Sequence, residues 1–68
     1  MRITYDSEVD ALYISFLDTT VTTQHVAEGV AVEYDTAGKI AGIEILDVSR
    51  QFADREVLRE VVLDTSSL

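Results

Sequence analysis

The sequence predicts a small α+β domain, an antiparallel β-meander of about five short strands with a C-terminal helix packed on one face. Three observations lead there. Segments between Arg2 and Leu46 alternate polar and apolar residues or concentrate β-branched ones, as strands do. The stretches joining them are short and turn-forming, which suits hairpins and not the long crossovers of parallel strands. After Asp54 the apolar spacing becomes that of an amphipathic helix.

The elements follow in order. Arg2-Ile3-Thr4-Tyr5-Asp6 alternates, with Ile3 and Tyr5 on one side. Asp6 to Asp10 breaks the pattern, and Asp6 or Ser7 suits a local cap. Ala11 to Leu17 carries apolar groups on both faces, as expected of a central or covered strand. Val21 to Ala27 is rich in Thr and Val, with no clear inward face. Val30 to Asp35 alternates cleanly, and Ile40 to Leu46 follows it across a tight loop in which Gly38 supplies positive φ. These two runs form the best-defined hairpin. Gly42 leaves a gap in the second run where a neighbour can approach closely. Asp54 then caps a helix over about 54–62, with Val57, Leu58, Val61 and Val62 as one stripe. The same letters alternate as a strand, so strand is the competing expectation. The sheet spans about 2–47, and residues 1–68 make a single domain with no linker or repeat.

Composition narrows the function classes. The chain has 68 residues, 47% of them hydrophobic, a net charge of −8 and no cysteine. Disulfides, cysteine-based zinc sites and thiol nucleophiles are excluded. Residues 1–49 hold nine acids against Arg2 and Lys39, whereas residues 50–68 hold four acids against three arginines. That balance opposes phosphate contact, so nucleic acid is not an expected partner. No apolar run approaches the ~20 residues of a membrane helix, and Met1 to Asp10 lacks the apolar core of a signal peptide. The expected setting is the cytoplasm, with no membrane partner. A core of this size supplies only ~3–5 kcal/mol net, and oligomerisation is the stabilising device left. A homodimer is therefore expected.

Several segments resemble one family of short prokaryotic proteins. Tyr5-Asp6 and Asp10-Ala11-Leu12-Tyr13-Ile14 are similar to its opening. Gly29-Val30, Glu33-Tyr34-Asp35, Gly38-Lys39-Ile40 and Gly42 to Ser49 are similar to its second half. It is the domain of unknown function (DUF) family 2283. The resemblance covers roughly residues 2–50 and implies a small β-rich domain with a terminal helix. It brings no catalytic residue, and the tail from Gln51 departs from the family pattern. Some members stand beside small toxin-like proteins, which keeps an interaction role in view.

Few residues offer chemistry. Asp6, Glu8 and Asp10 have the alternate spacing that opens a calcium loop, but the sixth position is Ala11 and the twelfth Leu17. An acidic turn with a local cap is the expected reading. His25 is the sole imidazole; two copies at a dimer axis would make a pH switch or a metal pair, and otherwise it is a polar strand residue. Glu33 and Glu44 fall on the hairpin face opposite Val32 and Ile43. If covered, they suit pairing with Arg50, Arg55 or Arg59 and form, with those arginines, the candidate interaction surface. The aromatic set of Tyr5, Tyr13, Tyr34, Phe16 and Phe52 is expected in the core. No catalytic constellation, cofactor loop or nucleophile elbow is present. The leading expectation is a non-enzymatic homodimeric protein-interaction module, antitoxin-like in form, with an acidic surface for a basic protein partner. The alternative is a small-ligand or metal-binding domain with its site at the subunit interface. An enzyme would need Asp, Glu and His side chains gathered across a dimer.

Overall fold

The computed structural model describes residues 1–68. Five strands form one antiparallel sheet: β1 (Arg2–Asp6), β2 (Ala11–Ser15), β3 (Thr22–Ala27), β4 (Val30–Tyr34) and β5 (Ile40–Ile45). A short helix α1 (Val48–Gln51) and a 3₁₀ turn η1 (Arg55–Arg59) follow. The chain is therefore mostly β, a coarser description than the α+β class expected from sequence.

The strand order is β1-β2-β5-β4-β3, which corrects the expectation of a simple meander. β3, β4 and β5 do run as a meander, but it folds back so that β5 pairs with β2 and fills the middle. The physical reason lies in the side chains. A meander would place Thr22, Thr23, Gln24 and His25 in the central strand, whereas the observed order puts them at an edge where all six β3 residues are exposed. The middle goes to β5, whose Ala41 and Gly42 are buried. The connection from β2 to β3 is tied down on the way, since the backbone N–H groups of Phe16 and Leu17 both donate to the Ala41 carbonyl.

Register sorts the side chains onto two faces. Tyr5, Leu12, Ile45 and Val30 stand side by side, as do Ile3, Ile14, Ile43 and Val32. These eight make one apolar face. The other carries Thr4, Tyr13, Glu44, Ala31 and His25 in one row. Arg2, Ser15, Gly42, Glu33 and Thr23 make its second row. A one-residue alternation thus separates a greasy side from a polar side.

The tail does not build a second layer. The expected helix over 54–62 is replaced by the 3₁₀ turn, although Asp54 caps it as expected, accepting from the Glu56 N–H. At Glu60 the chain turns extended, with φ −132° and ψ 123°. Val57, Val61 and Val62 are β-branched and lower helix propensity, and an isolated segment this short does not sustain a helix without packing. Helix α1 sits at one end of the sheet, where Val48 is fully enclosed. It bridges two turns: its Val48 N–H donates to the Asp10 carbonyl, and Gln51 Nε2 donates to the Glu28 carbonyl. The second bond passes so close to Gly29, at φ 73°, that a Cβ there would lie 2.4 Å from Gln51 Nε2.

One layer leaves the apolar face only partly covered. Leu12 is buried on it, Ile14, Val32 and Ile43 are half-buried and Ile3 is 39% exposed. The chain exposes 5317 Å². A compact monomer of this mass exposes about 4,200 Å², so the excess is about 1,100 Å². The radius of gyration, 12.9 Å, likewise exceeds the ~11 Å of a compact domain of this length.

Candidate functional site

Two polar clusters sit on this scaffold. The first gathers at the end of the sheet that carries α1. Asp10 closes the β1–β2 turn in the left-handed region, at φ 56°, a conformation aspartate tolerates better than most residues. Its carboxylate accepts from the Tyr5 hydroxyl at 2.6 Å, from the Ser49 N–H at 2.9 Å and from the Ser49 hydroxyl at 3.1 Å. Asp47, in the cap position of α1, makes no side-chain cap bond, and Asp10 supplies one to the helix from across the chain. The Tyr5 hydroxyl and the Ser49 N–H hold the Asp10 carboxyl below the ordinary aspartate value. Tyr5 is pushed up by the same hydrogen bond. Arg55 stands close enough to Tyr5 and Asp10 for both to favour its charged form. The result is a latch joining β1, the β1–β2 turn and α1.

The second cluster lies on the polar face. The Tyr13 hydroxyl donates to Glu33 Oε1 at 2.5 Å. The two residues belong to β2 and β4, so the bond spans the intervening β5 above Gly42. Only glycine leaves that room: a Cβ on residue 42 would lie 2.8 Å from Glu33 Oε1, 3.0 Å from the Ile14 carbonyl and 3.1 Å from the Tyr13 hydroxyl. The gap expected at Gly42 is therefore filled by a tyrosine–glutamate pair. The Glu33 carboxylate raises the Tyr13 phenol, with burial adding to the effect. Beside it, a shallow depression of about 520 Å³ is bordered by Arg2, Tyr13, Ser15, Phe16 and Asp18.

The other candidate residues are not brought together. Asp6 accepts from the Glu8 N–H at 2.9 Å, the local cap expected of an acidic turn. Asp10 instead turns toward Tyr5 and Ser49. No group of three or more His, Asp and Glu side chains converges, and His25 is exposed on the edge strand. Glu33 and Glu44 do share the face opposite Val32 and Ile43, half-buried, but Glu33 bonds to Tyr13 and not to an arginine. Arg50 pairs with Asp47 at 4.0 Å and Arg59 with Glu56, both within their own helical turns. Exposed pairs of this kind contribute little. Sequence reading missed the roles of Tyr5, Tyr13 and Ser49, because their partners are set by strand order. Gly42 was the one signal that pointed to the second cluster.

These features define a class: a single-layer antiparallel sheet, apolar on one face and polar on the other, closed at one end by a hydrogen-bonded latch. The chain belongs to the family described as "Protein of unknown function (DUF2283)", whose family model matches residues 2–49. The matched span contains every strand, the Tyr13–Glu33 pair, and Tyr5, Asp10 and Ser49 of the latch. Comparison with curated proteins and with solved structures gives no match. No helix is long and apolar enough to cross a membrane.

Proposed function

We propose that the protein is a non-enzymatic interaction module that works as a homodimer, its two apolar sheet faces packed together and its acidic outer faces free for a basic protein partner. One observation carries this reading: the incompletely covered apolar face of Ile3, Ile14, Val32 and Ile43, on a chain exposing about 1,100 Å² more than a compact monomer. A standard interface buries about 800 Å² per partner, the same order as that excess, part of which belongs to the exposed tail from Glu60 to Leu68. Two sheets stacked ~10 Å apart would give the two-layer core that a single copy lacks. A two-fold axis would set the same face on both sides of the seam, and uncharged face residues carry no repulsion.

Stacking this way would turn Glu33, Glu44 and His25 outward on both sides of the dimer. With a formal charge of −8 per copy the dimer would be strongly acidic as a whole, and each outer face would carry Glu33 and Glu44 against Arg2. An antitoxin-like role, neutralising a basic protein by covering its cationic surface, follows from that charge. The test is sedimentation equilibrium on the wild type, Ile43→Lys and Ile3→Lys. The reading expects a wild-type dimer and monomeric variants, each with strand-type circular dichroism. A dimer that survives both lysines would reject the apolar face as the interface.

A further inference from the structure

We propose that the depression at the β1–β2 edge of the polar face binds a small carboxylate with an apolar body. Arg2 and Ser15 would hold the carboxylate, and the body would lie against Phe16 and Leu17. This goes beyond the dimer proposed above, which would leave the polar face outward and the depression open.

The anion end is set by strand register. Arg2 and Ser15 are direct cross-strand partners, as are Thr4 and Tyr13 beside them, so β1 and β2 gather a guanidinium and three hydroxyls in one patch. The chain carries thirteen acids against five bases, so a cation has carboxylates to choose from. Arg50 and Arg59 each take one, and Arg55 stands close to Asp10. Arg2 takes none, and its neighbour across the strand is a serine and not an acid. Its planar fork of N–H donors remains available for a carboxylate brought from outside.

The apolar end follows from the way β2 leaves the sheet. The Phe16 and Leu17 N–H groups both donate to the Ala41 carbonyl, at 2.8 and 3.2 Å. Two residues opposing one is the geometry of a β-bulge, which ends pairing and re-aims side chains. Phe16, Leu17 and Asp18 thereby border the same depression as Arg2 and Ser15. Phe16 is 43% exposed and Leu17 55%, so their apolar surface is open to a ligand. Tyr13 makes a further wall. Its hydroxyl is tied to Glu33 above Gly42, which fixes the ring in place before anything binds.

Size and charge narrow the ligand class. The depression of about 520 Å³ falls within the ~300–1,000 Å³ of small-molecule sites. One unpaired guanidinium balances one negative charge. Asp18 on the rim and the net charge of −8 oppose a second, so a monocarboxylate fits better than a phosphate dianion. A body that reaches Phe16 and Leu17 removes their apolar surface from water.

Benzoate titrated into the full chain, followed by amide and Arg2 Nε–H resonances, tests this. Saturable shifts in the millimolar range are expected at Arg2, Thr4, Tyr13, Ser15, Phe16 and Leu17. Benzamide has the same shape without the charge and is expected to bind about tenfold more weakly, as is benzoate to Arg2→Gln. Acetate keeps the charge without the ring and is also expected to bind about tenfold more weakly. Arg2 is exposed, so the resonances of Arg2→Gln far from the depression should stay in place. Benzoate shifts that are absent, unsaturable or scattered over the surface would overturn the proposal. So would undiminished affinity for benzamide or acetate, or of Arg2→Gln for benzoate. The dimer is read separately by sedimentation, and its presence or absence does not alter these outcomes.

Discussion

Gly42→Ala is the most informative single perturbation of the polar face. The new methyl would meet Glu33 Oε1 at 2.8 Å, the Ile14 carbonyl at 3.0 Å and the Tyr13 hydroxyl at 3.1 Å. The two side-chain oxygens can swing away, which breaks their mutual hydrogen bond. The Ile14 carbonyl belongs to the adjacent strand and must yield by a few tenths of an ångström. Overpacking of this kind costs ~1–3 kcal/mol, and removing glycine's freedom from the unfolded chain returns ~0.4–1 kcal/mol, so the net loss is about 1–2 kcal/mol. In urea that is a midpoint lower by roughly 1 M at fixed protein concentration. Tyrosine absorbance gives a second readout. Tyr13 is raised above the ordinary 10.0 chiefly by Glu33, and in the variant it falls back toward that value. In the wild type, the raised value means that the pair's contribution is complete below pH 10 and fades as pH rises through the folded-state value. A variant with an undiminished urea midpoint and an unchanged Tyr13 titration would refute the claim that Gly42 exists to admit the pair.

Other predictions address the latch and the candidate cation residues. Asp10 is held below the ordinary value of 3.8, so its contribution is present above that pH and is lost as pH falls through the lower folded-state value. Exchange of the Ser49 amide should accelerate over that acid range in the wild type, and the acid step should vanish in Asp10→Asn, which keeps an acceptor and tolerates the left-handed backbone. Val48→Ala removes two methylene equivalents from a fully enclosed site and should cost about 2 kcal/mol in urea unfolding, cavity term included. Val9→Ala, at 65% exposure, should stay within ~0.5 kcal/mol. Calcium titrated into the protein should leave the Asp6, Glu8 and Asp10 amide resonances without a stoichiometric shift, because Asp10 is committed to Tyr5 and Ser49 while Asp6 caps Glu8.

The strands were legible because their information is local. β1 falls on Arg2–Asp6 as its alternation indicates, and the β4–β5 hairpin follows from clean alternation around Gly38, which takes φ 79°. Strand order was not legible, because alternation records which side chains share a face and is silent on neighbours. The edge position of Thr22–Ala27 is visible afterwards in its polarity, yet the same weak pattern fits a meander. The tail failed as a helix because an apolar stripe is necessary but insufficient. Without a surface to pack on, Val57 reaches only a 3₁₀ turn and the chain leaves helical backbone at Glu60. The site was half legible. Asp10 was read as part of an acidic turn, but its partner Ser49 lies 39 residues away and arrives only with α1. Tyr13 and Glu33 are 20 residues apart and meet only because β5 inserts between their strands.

Sedimentation equilibrium of the full chain at low micromolar concentration tests the central claim most directly. The account predicts a species of twice the 7.5 kDa chain mass, and reversion to the single-chain mass for Ile43→Lys with strand structure retained. A wild-type chain that is folded and monomeric across that range would contradict it, since the open apolar face would then need no second copy.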